Sequence, residues 1–415
     1  MKKSNKLKIF NDPIYGFISI PDEIIFDLIE HKYFQRLRRI SQTGLSYYVY
    51  PGCTHSRFLH AMGCLQLMQR AIETLRLKNV KITEEEEKAV YIAILLHDVG
   101  HGPFSHTLES TIVEGVHHED ISLRLMEKLN KETNGKLDLA IQLFKKEYPK
   151  KFLSQLIASQ LDIDRLDYLK RDSFFSGVEE GNINSNRIIS MMNVHDNELV
   201  IDIKGIYSVE KFLISRMFMY WQVYLHKTSM AAEIYLTQSL KRARELALIG
   251  EEVQSTPGLA YFLNRKETST FNEDDLEKFT QLDDTDVTAS LKLWQNNEDL
   301  ILKTLSTSIL ERKLPKAVIK NEKISEEEIS KKKEKCNNLM GTDCADYFVH
   351  ATKMVVTPYD AGKHPILLLN KNGSCVDIAK SDKQILTKPL YEKTEKYHFC
   401  YWNTEKFKKL KLNNN

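Results

Sequence analysis

Long stretches of helical periodicity dominate the first 250 residues or so. Apolar residues recur every three or four positions over about 57–77, 84–97, 118–132, 152–171 and 206–248, which predicts helices there. Strand-like pieces are few: "ISI" at 18–20, and "ELVIDIKG" at 198–205 with clean alternation. A polar, turn-rich run at 251–275 then changes the character of the chain. The charge-alternating stretch 321–337 reads as a solvated helix, and "YFVHATKMVVTPYD" and "PILLLNKNGSCVDIAKSD" read as strands joined through an Asn-Gly-Ser turn. The expected fold class is mainly α: a helical bundle over 1–250 and a smaller α+β C-terminal lobe over 251–415.

Composition narrows the functions available. With 415 residues, 42% of them hydrophobic and 28% charged, the chain has enough apolar material for a sizeable core. A net charge of +2 gives no global footprint for nucleic acid, so no nucleic-acid partner is expected. The longest uncharged apolar run, 89–96, is too short to span a bilayer, and no apolar segment backs the basic start, so the protein is read as cytoplasmic with no membrane partner. Six cysteines lie scattered without CxxC spacing, as reduced thiols would.

The histidines are not scattered. Seven of the 13 fall between His55 and His118, and imidazole is both a common divalent-metal ligand and the side chain that titrates near neutrality. Thr83 and Glu86 form a capping box for a helix that delivers His97 and Asp98 at its C-terminal end, where Gly100 lets the chain turn. The helix beginning near Arg57 is apolar on opposite faces, so His60 points inward. Leu153, Ile157 and Leu161 continue at helical spacing to Asp164 and Tyr168, which makes Asp164 core-facing. An ionised carboxylate there costs several kcal/mol unless a cation compensates it, and a metal would.

The order His60, His97-Asp98, Asp164 resembles the HD superfamily of metal-dependent phosphohydrolases. The flanking text "NDPIYGFISI", "FQRLRRISQTGLSYYVYPGCTHSRFLHAMG", "LLHDVGHGPFSH", "HHEDIS" and "LDIDRLDYLKRDSFFSG" is similar to its deoxynucleoside triphosphate triphosphohydrolase branch, from Lys8 to about Arg244 and more weakly in "LDDTDVTASLKLW". No SAM-like domain is expected ahead of Asn11.

The resemblance implies an HD-domain helical bundle in which His60, His97, Asp98 and Asp164 hold one divalent ion. Two imidazoles and two carboxylates suit Mn, Fe, Zn, Ni or Mg without choosing among them. The implied reaction is hydrolysis at the α-phosphate, giving a deoxynucleoside and inorganic triphosphate. His101, His106 and His118 match active-site histidines for proton delivery and phosphate contact, with Glu119 able to polarise a neighbouring imidazole. Arg57, Arg165 and Arg216 fall on phosphate-contacting positions; Gln42, Tyr168 and Asp172 surround the sugar; Tyr224 matches a base-side aromatic. Thr43 and Tyr220 depart from the branch's pattern. A regulatory nucleotide site maps onto Lys8, Asn11, Glu30, Gln35, Arg38 and Lys227, with Asp202 near a family arginine, and implies an activating nucleotide and a homo-oligomer, dimer or tetramer. Competing readings are an HD-type phosphomonoesterase or phosphodiesterase, against which the missing GYP motif counts, and a non-catalytic nucleotide sensor or single-strand nucleic-acid binder.

Overall fold

The 21-residue helix Arg57–Leu77 is buried on nearly every side, as its two opposed apolar stripes require. In the computed structural model it packs between Glu84–Leu96 and Ile163–Ser176. The structure describes residues 8–107, 109–113, 115–266, 271–341, 343–362, 365–385 and 392–402, without the side chains of residues 106, 109 and 110. The capping box at Thr83 is present in both directions, and Tyr148 and Lys150 also donate to the Glu86 carboxylate at 2.7 and 2.8 Å. The helix His118–Glu132 also lies where periodicity places it.

Two expected helices are broken. The stretch 152–171 is two helices, Lys151–Ile157 and Ile163–Ser176. Asp162 causes the break: its carboxylate accepts from the backbone N–H of Ser159 at 2.7 Å and of Arg165 at 2.8 Å, capping the second helix while Ala158 turns extended. Leu153 and Ile157 therefore do not share a helix with Asp164, which sits in the first turn of the new one. The stretch 206–248 is likewise divided, into Ile206–Met219 and Lys227–Leu248, by a π turn over Tyr220–Tyr224.

The fold is mainly α, with three small sheets among the described residues. Ile9–Asp12 and Gly16–Ser19 form a hairpin, so the strand expected at 18–20 starts earlier. Glu198–Asp202 pairs antiparallel with Met192–His195 and parallel with Leu367–Leu369, which pairs with Cys375–Asp377. Thr394–Tyr401 lies between Lys316–Lys320 and His350–Val356. Buried side chains from beyond residue 250, among them Leu282, Trp294, Leu302, Phe348 and Leu368, join the same hydrophobic cluster as Leu65 and Ile94. Among the described residues no helix is long and apolar enough to cross a membrane.

The closest backbone approach is at Gly63, where a Cβ would lie 2.1 Å from both the Arg171 guanidinium and the Asp167 carboxylate. The absence of a side chain lets this buried ion pair lie against the central helix. We expect Gly63→Ala to destabilise the protein by about 1–3 kcal/mol, the usual cost of overpacking. Thermal melting checks this; a variant with the wild-type midpoint would show that the helices can part freely.

Candidate metal centre and active site

Three helices deliver the donor atoms. His60 projects from the first turn of Arg57–Leu77, His97 and Asp98 follow directly on Glu84–Leu96, and Asp164 is the second residue of Ile163–Ser176. His60 Nε2 lies 3.1 Å from Asp164 and 3.7 Å from Asp98, while His97 Nε2 lies 3.4 Å from Asp98 and 3.5 Å from Asp164. Donors held about 2.1 Å from one ion stand roughly 3.0–3.4 Å apart; His60, His97 and Asp164, with Cys64 beside them, offer atoms close enough to hold one ion, while Asp98 groups with His101 and His118 next to them.

The ring orientations agree. His97 Nδ1 lies 2.6 Å from the Ile94 carbonyl, which can only accept, so the proton sits on Nδ1. That leaves Nε2, buried and without a hydrogen-bond partner, as a lone pair facing the carboxylates. His60 Nδ1 is 2.8 Å from Asp167, the carboxylate-histidine arrangement that orients metal-bound imidazoles. Asp167 is paired with Arg171, which reaches Asp12 at 2.8 Å.

Charge completes the test. Among the described residues, Arg57 and Arg171 are the guanidiniums in ion-pair contact with the carboxylates of Asp12, Asp98, Asp164 and Asp167, which leaves two negative charges in excess within that set of contacts. Either two imidazolium protons or one divalent ion balances it. Without an ion, burial alone would lower the His60 imidazole, but Cys64, Asp164 and Asp167 hold it well above the ordinary value. We attribute this to the carboxylates, because burial pushes the Cys64 thiol up and a protonated thiol carries no charge. His97 is raised against burial by Asp98 and Asp164. Asp98 is held well below the carboxylate range, since His97, Arg57 and His101 outweigh its burial. His101 is pushed well down by burial and by Arg57.

A cavity of about 480 Å³ opens from this centre. Asp98, Asp164, His101 and His118 line it together with Arg57 and Arg165, and Gln42, Tyr168, Asp172 and Tyr224 continue the wall. His101 and His118 stack with ring centroids 3.9 Å apart. Gly100 permits this: a Cβ there would meet the His118 carbonyl at 2.3 Å. Thr43 and Tyr220, the departures from the branch's pattern, also line the cavity. Arg216 is not among the lining residues; its guanidinium donates to the Pro358 carbonyl at 3.2 Å. Glu119 is exposed on the first turn of its helix and does not line the cavity. The His106 side chain lies outside the described residues.

Lys8, Asn11, Glu30, Gln35 and Arg38 lie on the first hairpin and the helical turns after it, with Arg38 over the Phe58 ring at 3.6 Å and donating to Gln35 at 2.8 Å. Lys227 opens a different helix, and Asp202 pairs with Lys78 at 2.8 Å.

Sequence reasoning missed several residues. Asp167 lies three positions after Asp164, so helical spacing could have placed it on the same face. His55 holds Asp172 at 2.7 Å under a stacked Phe175, and Tyr224 donates to the other Asp172 oxygen at 2.7 Å. Glu233 lines the cavity with its carboxyl pushed up to about 7 by burial, and no local signal announced it.

The helical bundle and its histidine-aspartate centre define an HD-domain phosphohydrolase. Residues 57–172 match the HD domain and residues 183–255 the HD associated region, and the chain belongs to this family of hydrolases. A crystal structure of a phosphohydrolase from Bacteroides thetaiotaomicron is similar, with a TM-score of 0.92 and 49% identity over 96% of this chain and 100% of that one. The uncharacterized protein YwfO of Bacillus subtilis is 34% identical over 75% of this chain and 72% of its own length. The deoxynucleoside triphosphate triphosphohydrolase SAMHD1 homolog of Dictyostelium discoideum is 31% identical over 65% of this chain, which spans 56% of that relative.

Protons and metal compete for the same centre. The raised imidazoles stabilise the metal-free fold below the unfolded value of about 6.5, and that contribution is lost as pH rises through their higher folded values. Metal binding must expel those protons. We expect weaker metal affinity at pH 6 than at pH 8, with proton release visible by calorimetry in buffers of different ionisation enthalpy. Affinity independent of pH would contradict this balance. Asp98→Ala and Asp164→Ala should lose the metal while the helices still form.

Proposed function

We propose that the protein hydrolyses deoxynucleoside triphosphates to a deoxynucleoside and inorganic triphosphate, using one divalent ion held by His60, His97, Asp98 and Asp164. The observation that carries this reading is a single cavity whose wall runs from those carboxylates, past Arg57 and Arg165, to Gln42, Tyr168, Asp172 and Tyr224. A charged phosphate chain suits the first part and a sugar with its base the second. The Dictyostelium relative's own name agrees.

The ion, when bound, supplies a Lewis acid and lowers the pKa of water. The chain supplies the rest. Arg57 and Arg165 take up triphosphate charge in a partly buried setting where fork-shaped guanidiniums suit phosphate oxygens. His101, His106 and His118 deliver the proton that the departing 5′ oxygen requires and contact phosphate. Glu119, being exposed, takes no part here, nor does Arg216, which lies over the Tyr220 ring outside the cavity lining. Tyr224 and His55 fix the Asp172 carboxylate at the sugar end.

Chromatography of products from a panel of dNTPs, NTPs and monophosphates with added Mn tests the reaction class. Triphosphate plus deoxynucleoside is the expected outcome; orthophosphate released from monophosphates alone would replace it with the phosphomonoesterase reading. His101→Ala and His118→Ala should keep the metal and lose turnover by roughly 10², the scale of acid-base groups.

The cluster of Lys8, Asn11, Glu30, Gln35 and Arg38, with Lys227, is proposed to take an activating nucleotide in a homo-oligomer. Activity should then rise sigmoidally with an added guanine nucleotide, and Arg38→Ala should abolish the rise without changing metal content. Hyperbolic rates and a fixed oligomer under all nucleotides would remove the regulatory site and leave the catalytic one.

A further inference from the structure

The weakly matching stretch "LDDTD" has no role in the chemistry above, yet its second aspartate reaches the edge of the active site. Asp284 opens the helix Asp284–Trp294, far along the chain from the histidines. One of its oxygens accepts the Phe104 N–H at 2.6 Å, and the other accepts the Ser41 N–H at 2.9 Å and the Ser41 hydroxyl at 2.5 Å. The Ser41 carbonyl takes the Ser105 hydroxyl at 2.6 Å, and the Ser105 oxygen takes Arg57 Nε at 2.7 Å. The far side of that guanidinium is bonded to Asp98. Hydrogen bonds thus run unbroken from the start of the helix Asp284–Trp294 through Ser41 and Ser105 to a cavity-lining arginine and the Asp98 carboxylate.

The turn gripped in this way is a strained one. Phe104 and Ser105 have φ of 53° and 55°, consecutive left-handed residues with no glycine to ease them. Such a backbone persists only when its surroundings hold it. The same corner has a second grip: buried Arg36 donates to the Leu282 carbonyl at 3.0 Å and to the Val99 and His101 carbonyls at 2.9 and 2.8 Å. Residues 282–284 therefore fasten both flanks of the segment that carries His101 and Ser105.

We propose that Asp284 is a positioning residue for phosphate hydrolysis: by holding Ser41 and the Phe104–Ser105 turn it fixes the Arg57 guanidinium in the cavity. The assignment rests on Arg57 as a phosphate contact. An ionised carboxylate answers three donors at once, which a neutral amide cannot do. Asp284→Asn turns an NH2 toward N–H groups and releases at least one of them. Asp286, on the same helical turn, caps the Asp283 N–H at 2.8 Å and serves as the control, since its loss weakens the helix start by another route.

The test uses the metal-loaded, full-length protein and whichever phosphate ester the wild type hydrolyses, so failure on dNTPs counts against the proposed substrate and leaves this assignment measurable. Asp284→Asn should lower kcat roughly 10- to 100-fold, the scale of a small misplacement, with full metal content. Backbone amide exchange across 102–107 should quicken in the same variant. Asp286→Asn should lower the melting midpoint with kcat within about twofold. In the double variant Asp284→Asn/Ser105→Ala, the loss should be no larger than that of the worse single variant, because both cut one chain of bonds. Wild-type kcat in Asp284→Asn, an equal loss in Asp286→Asn, or single losses that multiply would each overturn the proposal. So would quickened exchange with unchanged turnover.

Discussion

The His60 imidazole is oriented by Asp167 at Nδ1 and has the Asp164 carboxylate 3.1 Å from Nε2, and the packing of its helix against Ile163–Ser176 is tied to that arrangement. Both carboxylates come from one helix, three residues apart, so a single helix-helix packing sets both contacts. That packing is close only because residue 63 is glycine. A buried carboxylate such as Asp167 is tolerable only with its partners, and removing one from a buried pair typically costs about 3–5 kcal/mol. Arg171 and Asp12 extend the pairing to the N-terminal hairpin, so the first strand of the chain helps hold a histidine it never touches.

The same electrostatics separates the roles of neighbouring groups. His60 and His97 face an excess of carboxylate and are raised against burial, whereas His101, three residues beyond Asp98, is lowered first by burial and then by Arg57. Imidazoles within one small volume are thus driven apart by the balance between burial and the charges that stand opposite them. Sites that divide labour between ligand and acid-base histidines require this, and identical side chains in a uniform medium could not provide it.

Much of the scaffold was legible from periodicity. The helices over 57–77 and 118–132 and the capping box at Thr83 are local matters: apolar spacing and a cap decide them, and tertiary contacts agree. The helix expected over 152–171 failed because Asp162 offers its carboxylate to two backbone N–H groups, a local bond that outcompetes continuation although the apolar spacing runs straight through it. His60, His97, Asp98 and Asp164 were legible as a pattern; three of them gather in one candidate metal group with Cys64, and Asp98 lies in an adjoining one with His101 and His118. The supports were not: Asp167, His55, Glu233 and Asp284 meet partners 107 to 243 residues away, and no window of sequence contains such a pair.

That separation bears on how the chain is divided. The change in composition near residue 250 marks the end of a long helix, and a boundary there is attractive on sequence grounds. Yet the buried donors of Arg36, Ser41 and Phe104 find acceptors in residues 282–284, and Glu198–Asp202 takes Leu367–Leu369 as a parallel neighbour. A chain ending at 250 would leave those backbone donors and that strand edge without partners, each unmet buried group costing about 1–3 kcal/mol. The left-handed turn at 104–105 would lose its grip at the same time. The HD domain supplies the residues proposed as ligands, and the later helices supply the constraint that keeps the loop after His97 and Asp98 in an otherwise unfavourable shape.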